Sequence, residues 1–344
     1  MNDMEFFIRT MPKVELHVHL EGSVQPETFL TLAKHHHIAL PADSIAGLRE
    51  WYRFRDFNRF IEIYMAISNC LRTTDDIELL TREFLISQAE QNIVYSEVTF
   101  TPYNQFLNCS LDMHEQLNAV NRVRAWGEHE LKVRMGVIVD IPRERSANAG
   151  IEIARFVVDR FGDGVIALGL GGPEKGNPPS KFQQAFDIVD QAGIPCVIHA
   201  GETDGPQSIW NAIVAAKARR IGHGVRCTED PELVDYLKAT QLPLDVCPTS
   251  NICLGVFPSL EEHSLPKLIE SGLSVTLNSD DPPLFNTTLT DEFLSAGMCF
   301  TWDALLIKRL VLNALEVSFL SESEKRSMGQ RFVEDFSRLE SSRS

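Results

Sequence analysis

Two histidines, His17 and His19, stand two residues apart in Glu15-Leu16-His17-Val18-His19-Leu20-Glu21-Gly22. Residues i and i+2 of a strand share a face, so two imidazoles at a strand's end can grip one metal ion. His-x-His alone is a weak signal. It is strengthened by His199, which follows the apolar pair Val197-Ile198, and by Asp280, which follows Val275-Thr276-Leu277-Asn278-Ser279. Three neutral imidazoles and one carboxylate make a donor set that suits Zn²⁺ first and leaves Fe²⁺ and Mn²⁺ open. A metal held mainly by imidazoles stays positive and can lower the pKa of bound water to about 7. Hydrolysis then needs a proton donor to the substrate. Glu202, three residues beyond His199, is the candidate, provided that a dry site raises its pKa. His223, flanked by Gly222 and Gly224, is the candidate for orienting and deprotonating the water, since glycines let backbone approach closely.

These residues are far apart in the chain, so the fold must gather them. Strand patterns cover about 92–100, 132–140, 164–170, 195–199, 220–223, 243–247 and 273–279, in addition to the His-x-His strand. Helical patterns separate most of them. Eight strands alternating with helices in 344 residues predict a (β/α)8 TIM barrel rather than an open sheet. Polar residues fall at the strand ends: His17 and His19, Asp140, His199, His223, and Asp280 with Asp281. In such a barrel those ends meet on one face. A helical insertion over about 24–90 follows the first strand, and a helical segment from about 291 to 339 closes the chain. Phe54, Phe57, Phe60 and Tyr64 form an aromatic stripe in the insertion, read as helix core or as a lid over the site. No repeat or linker divides the chain, so residues 1–344 are read as one hydrolase-type domain.

The net charge of −16 and a pI of about 5.1 argue against nucleic-acid or anionic-membrane partners and leave a small neutral ligand open. Seven scattered cysteines without a Cys-x-x-Cys speak against a disulfide framework and for a reducing cytoplasm. Residues 1–10 lack the apolar core of a signal peptide, and no apolar run is long enough to span a membrane. Oligomeric state is left open.

Five motifs occur in order: His17-Val18-His19-Leu20-Glu21-Gly22, His199-Ala200-Gly201-Glu202, Arg220-Ile221-Gly222-His223-Gly224, Cys247-Pro248-Thr249-Ser250-Asn251 and Asn278-Ser279-Asp280-Asp281-Pro282. Together they resemble the adenosine deaminase family of the metal-dependent amidohydrolase superfamily, over about residues 11–320. The resemblance implies one zinc ion per chain, held by His17, His19, His199 and Asp280. It implies that Glu202 protonates purine N1, His223 positions the attacking water, Asp281 bonds N7 and the Gly172 amide reaches N3. The implied reaction is hydrolysis of a 6-aminopurine nucleoside to an inosine-type product and ammonia, with no cofactor beyond the metal. The other zinc deaminase class carries Pro-Cys-x-x-Cys, which is missing here.

Departures from the family pattern bear on the substrate. Adenosine deaminases proper usually have Asp where Glu21 stands, meeting the ribose 5′-hydroxyl, and Arg where Thr99 stands. The segment Leu168-Gly169-Leu170-Gly171-Gly172-Pro173-Glu174 also differs from the usual pattern. These variants resemble a bacterial branch that includes 6-aminodeoxyfutalosine deaminases of menaquinone biosynthesis. The adenine-deaminating branch usually has Asp at the Gly222 position, which favours a nucleoside here. Adenosine or a 5′-modified adenosine is therefore the leading substrate class, with 6-aminodeoxyfutalosine, adenine and N6-substituted adenines as alternatives. Amide or lactone hydrolysis is an enzymatic rival, and a nucleoside-binding protein on the same fold is the non-enzymatic one.

Several other features have ordinary readings. His35-His36-His37 suits a solvated helix end, and His114, His129 and His263 are read as surface residues. The glycines at 169, 171 and 172 lack the third glycine of a dinucleotide loop. Cys247 is read as a packed thiol, and Arg226 and Lys181 as solvated charges.

Overall fold

Apolar runs flanked by helix-forming segments become eight parallel strands: β1 Lys13–His19, β2 Ile93–Phe100, β3 Arg134–Pro142, β4 Val165–Gly171, β5 Cys196–Ala200, β6 Arg220–His223, β7 Leu244–Val246 and β8 Val275–Leu277. The computed structural model describes residues 3–53 and 56–341. Spatial order equals chain order, and every neighbouring pair is parallel, as a (β/α)8 barrel requires. Helices cover the outer face and side chains fill the inner one, so nearly every strand residue is buried, polar ones such as Lys13, Glu15 and Glu97 included.

The ring is shut by a short seam. Val18 and Asp280 form a parallel bridge, in which the His19 N–H donates to the Asp280 carbonyl (2.9 Å) and the Asp280 N–H to the His17 carbonyl (3.1 Å). The Asn278 side-chain oxygen accepts from the N–H groups of Leu16 (2.8 Å) and His17 (3.1 Å). The bonds that close the barrel are therefore the bonds that set His17 and His19 beside Asp280. Asp280 takes φ of 66°, a conformation that side chains rarely adopt, and the seam holds it there. Deeper in the barrel, buried Arg220 is matched by Glu97 (2.7 Å) and Asp245 (2.6 Å). Such pairing is what permits a charge in a dry interior.

A helix precedes β1 (α1, Asp3–Thr10), and four follow it: α2 Pro26–His35, α3 Ile45–Trp51, α4 Phe57–Ser68 and α5 Thr74–Glu90. Asp56 caps α4 by accepting from the Arg59 N–H, and Thr73 with Asp76 forms a reciprocal capping box on α5. Phe57, Phe60 and Tyr64 recur at helical spacing and put one face of α4 against a cavity shared with the strand-end residues His19, His199 and Asp280. Phe54 lies outside the described residues. The closing segment forms Leu289–Cys299, Ala304–Val317 and Glu322–Ser341. No helix among the described residues is long and apolar enough to cross a membrane.

Two histidine readings change. His35 and His37 are exposed as expected, but His36 is half-buried and bonds Asp76 at 2.8 Å. His263, expected at the surface, is buried. The loop after the short helix Pro248–Cys253 folds back, with the N–H groups of Val256 and Phe257 reaching the Asn251 carbonyl. That packs the His263 ring on Phe257, centroids 4.4 Å apart. His114 and His129 are exposed, as expected.

Candidate active site

His17 and His19 leave β1 on one face, His199 lies in β5, and Asp280 follows β8. One donor atom from each of the four lies within 4.8 Å of the others. The Nε2 atoms of His17 and His19 are 3.3 and 3.2 Å from Asp280 Oδ1, and those of His19 and His199 are 3.1 Å apart. Buried His17 Nε2 has no hydrogen-bond partner in the protein. His199 Nδ1 lies 3.1 Å from the Leu170 carbonyl, which can only accept; the ring proton is therefore on Nδ1 and the Nε2 lone pair faces the cluster. Burial, with the neighbouring histidines, pushes His199 well below its ordinary pKa, so it is neutral, as a ligand must be. Burial would also lower His19, but the carboxylates of Asp281, Asp280 and Asp140 outweigh it and raise that imidazole to about 10. A field of that sign favours positive charge, whether carried by a proton or by a metal ion. Three imidazoles and one carboxylate with convergent lone pairs fit a divalent metal. Ser250 donates to Asp280 Oδ2 at 2.6 Å and fixes the carboxylate. A second trio, His223, Cys247 and Asp280, is less suited, because burial pushes the Cys247 thiol up and keeps its proton on.

The cluster sits at one side of a cavity of about 360 Å³. Glu202 and His223 line it, with His223 Nε2 3.6 Å from Glu202 Oε1 and 3.9 Å from Asp280 Oδ2. Burial, reinforced by the charges of Asp280, Glu174 and Asp281, pushes the Glu202 carboxyl well above the usual carboxylate range. It therefore holds a proton that it can give away. Asp281 also lines the cavity, its Oδ1 has no partner, and burial followed by the Asp280 charge raises it strongly. Asp281 can lie there because position 22 is glycine: a Cβ at Gly22 would sit 1.7 Å from Asp281 Oδ1. Gly222 serves similarly, since a Cβ there would come within 2.7 Å of the His17 ring.

Gly172 lines the cavity beyond the end of β4. Glu21 does not. It is buried behind the wall, where it accepts from the Thr101 N–H (2.9 Å) and the Tyr64 hydroxyl (3.3 Å), and burial raises it to about 7. Arg226 pairs with Glu229, and Lys181 bonds the Arg143 carbonyl and Asn177; neither lines the cavity. Cys247 is buried, as expected.

Sequence reasoning missed Glu174. Its carboxylate accepts from the N–H groups of Gly201 (2.8 Å), Glu202 (2.9 Å) and Thr203 (2.8 Å) and from the Ser208 hydroxyl. Each N–H left unmet would cost roughly 1–3 kcal/mol. This one side chain thus moulds the turn that aims Glu202. Its place in a Gly- and Pro-rich loop carries no periodic signal. Asp140, marked in the sequence as a polar strand-end residue, lines the cavity; burial raises it to about 7.

Comparison with known proteins agrees with this geometry. The adenosine deaminase family model matches residues 12–334. The chain is 37% identical over 326 residues to aminodeoxyfutalosine deaminase of Streptomyces avermitilis, covering 94% of this chain and 90% of that one. It is 37% identical over 333 residues to adenine deaminase of Vibrio parahaemolyticus, covering 97% and 98%. The solved adenine deaminase of Arthrobacter aurescens superposes with a TM-score of 0.90 at 32% identity, over 94% of this chain and 99% of that one. With its barrel, its four convergent donors and its buried acid in place, this chain belongs to the adenosine deaminase family, hydrolases that act on C–N bonds.

Proposed function

We propose that the protein hydrolyses the C6–amine bond of a 6-aminopurine, with an uncharged adenosine-type nucleoside as the leading substrate. Ammonia and the 6-oxo purine are the products. The observation that carries this reading is the meeting, at one cavity, of a four-donor metal cluster with the buried carboxyl group of Glu202.

Zn²⁺ is the proposed metal, held by His17, His19, His199 and Asp280; when bound it supplies a water of lowered pKa beside the substrate. Glu202 gives its proton to ring N1, which removes the aromatic character that protects C6 from attack. His223 orients the water. Asp281, protonated by its surroundings, donates to N7, and the Gly172 N–H reaches N3. Glu21 meets no substrate atom directly; its carboxylate accepts from the Tyr64 hydroxyl and so steadies a side chain of the cavity wall. Phe57, Phe60, Ile61, Met65 and Leu254 give the purine ring apolar walls.

The lining includes Asp140, Glu144, Glu202, Asp280 and Asp281, and no Lys or Arg among the described residues. With neither Lys nor Arg in the lining to pair with it, a 5′-phosphate finds no partner there. A volume of about 360 Å³ lies at the small end of the roughly 300–1,000 Å³ range of small-molecule pockets, which suits a base or nucleoside. Free adenine is the second reading, favoured by the adenine deaminases of Vibrio and Arthrobacter. A 5′-extended adenosine such as aminodeoxyfutalosine is favoured by the Streptomyces relative. Formation of the 6-oxo purine from adenosine, 6-aminodeoxyfutalosine, adenine, N6-methyladenine and AMP, measured side by side as kcat/KM, separates them. The expected order puts adenosine-type nucleosides first and AMP at least tenfold lower. Failure of every 6-aminopurine would reject the reading.

A further inference from the structure

We propose that Asn251 and His263 are positioning residues that lock His223 as its Nε2–H tautomer, so that His223 presents a proton donor to the reacting oxygen. The catalytic meaning rests on the function proposed above; the tautomer itself does not.

The chain of reasoning begins at a group with no choice. A backbone N–H can only donate, and that of Leu265 points at His263 Nδ1 at 3.0 Å. Nδ1 therefore carries the lone pair, and the proton of neutral His263 is on Nε2. His263 Nε2 lies 3.1 Å from the Asn251 side-chain oxygen, which accepts. That contact fixes which way round the amide stands. Its nitrogen then faces His223 Nδ1 at 3.3 Å, and an amide nitrogen can only donate. His223 Nδ1 must accept, and the proton of neutral His223 is on Nε2, the atom that faces Glu202 and Asp280.

The relay is insulated. His223 is 1%, Asn251 0% and His263 3% exposed, so water does not compete for these bonds. Burial holds His263 down to about 4, which keeps it neutral near pH 7. The loop that carries it is pinned by the Ser264 hydroxyl on the Val225 carbonyl at 2.9 Å, two residues from His223. The same loop packs Phe257 on the His263 ring.

One consequence corrects the role assigned from sequence. A neutral imidazole protonated on Nε2 has no lone pair there and cannot take a proton from water. His223 instead donates a hydrogen bond to the attacking oxygen and fixes its direction. Proton exchange with the reactants falls to Glu202, whose Oε1 lies 3.6 Å from His223 Nε2.

The test is ¹⁵N-histidine NMR on zinc-loaded protein, in which protonated and unprotonated ring nitrogens give distinct resonances. The expected wild-type result is a protonated Nε2 and an unprotonated Nδ1 for both His223 and His263. Asn251→Asp replaces the donor with a carboxylate that accepts from both sides. It should move the His223 proton to Nδ1 and lower kcat by roughly 10²–10⁴-fold with little change in KM. His263→Gln, whose amide can still donate to Asn251, should keep the Nε2–H form of His223 and activity within about tenfold. His263→Phe, which cannot donate, should lose that fixed form. A wild-type His223 protonated on Nδ1, or one whose tautomer is unmoved by Asn251→Asp, would overturn the proposal. So would equal behaviour of His263→Gln and His263→Phe. The wild-type spectrum decides even if a variant fails to fold. Absence of deaminase activity would bear on the proposed function and leave the NMR result standing.

Discussion

Glu202→Gln lowers kcat by about 10²–10⁴-fold while the protein keeps its fold and its metal. The side chain is buried, its Oε1 has no hydrogen-bond partner in the protein, and burial, reinforced by the neighbouring acidic groups, keeps its proton on. The amide has nearly the same shape but no acidic proton for a ring nitrogen. KM moves much less than kcat, because protonation of N1 matters most in the transition state. The sign with pH follows from the direction of the shift. The acid works only when protonated, so the wild-type rate falls as pH rises through the raised pKa of Glu202, and the variant lacks that limb. Steady-state kinetics with metal analysis on both proteins checks this; a variant with wild-type turnover sinks the assignment of the acid.

His199→Ala has an effect at least as large, by a different route. It removes one of four convergent donors and leaves the metal to His17, His19 and Asp280. Bound metal should fall from about one per chain to a small fraction, and ammonia release should fall with it to background. Ser250→Ala is the graded comparison. It removes only the bond that orients Asp280, and outer partners of this kind are worth about 10–100-fold in metal affinity or activity. Elemental analysis after dialysis reads both. Full metal occupancy and activity in His199→Ala would show that the cluster is not the metal site.

The two variants mark a difference in what a sequence can disclose. His199 and Asp280 were legible because each ends an apolar run, and a barrel delivers strand ends to one face. The eight strands were legible for the same reason, with boundaries a few residues off: β3 runs on past Asp140 to Pro142, and β8 stops at Leu277. The residues that aim those side chains were not legible. Glu174 and His263 sit in irregular segments without periodicity, and their partners lie elsewhere in the chain: Glu174 reaches the 201–204 turn, and His263 reaches Asn251. A lone histidine in a loop is ordinarily a surface residue; only the folded-back backbone of 256 and 257 buries this one. Glu21 illustrates the limit of motif matching. His19 of the same motif lines the cavity, yet the Glu21 carboxylate is spent on Thr101 and Tyr64.

Removing metal with a chelator and titrating Zn²⁺ back, with bound metal and ammonia release from adenosine and adenine followed together, puts the convergence of four side chains on one catalytic ion to trial. Activity should be absent from the metal-free protein, rise in proportion to bound zinc and stop at one ion per chain. Metal-free protein that deaminates as fast as the zinc-loaded form, or fully loaded protein that deaminates neither these two compounds nor 6-aminodeoxyfutalosine, would contradict it.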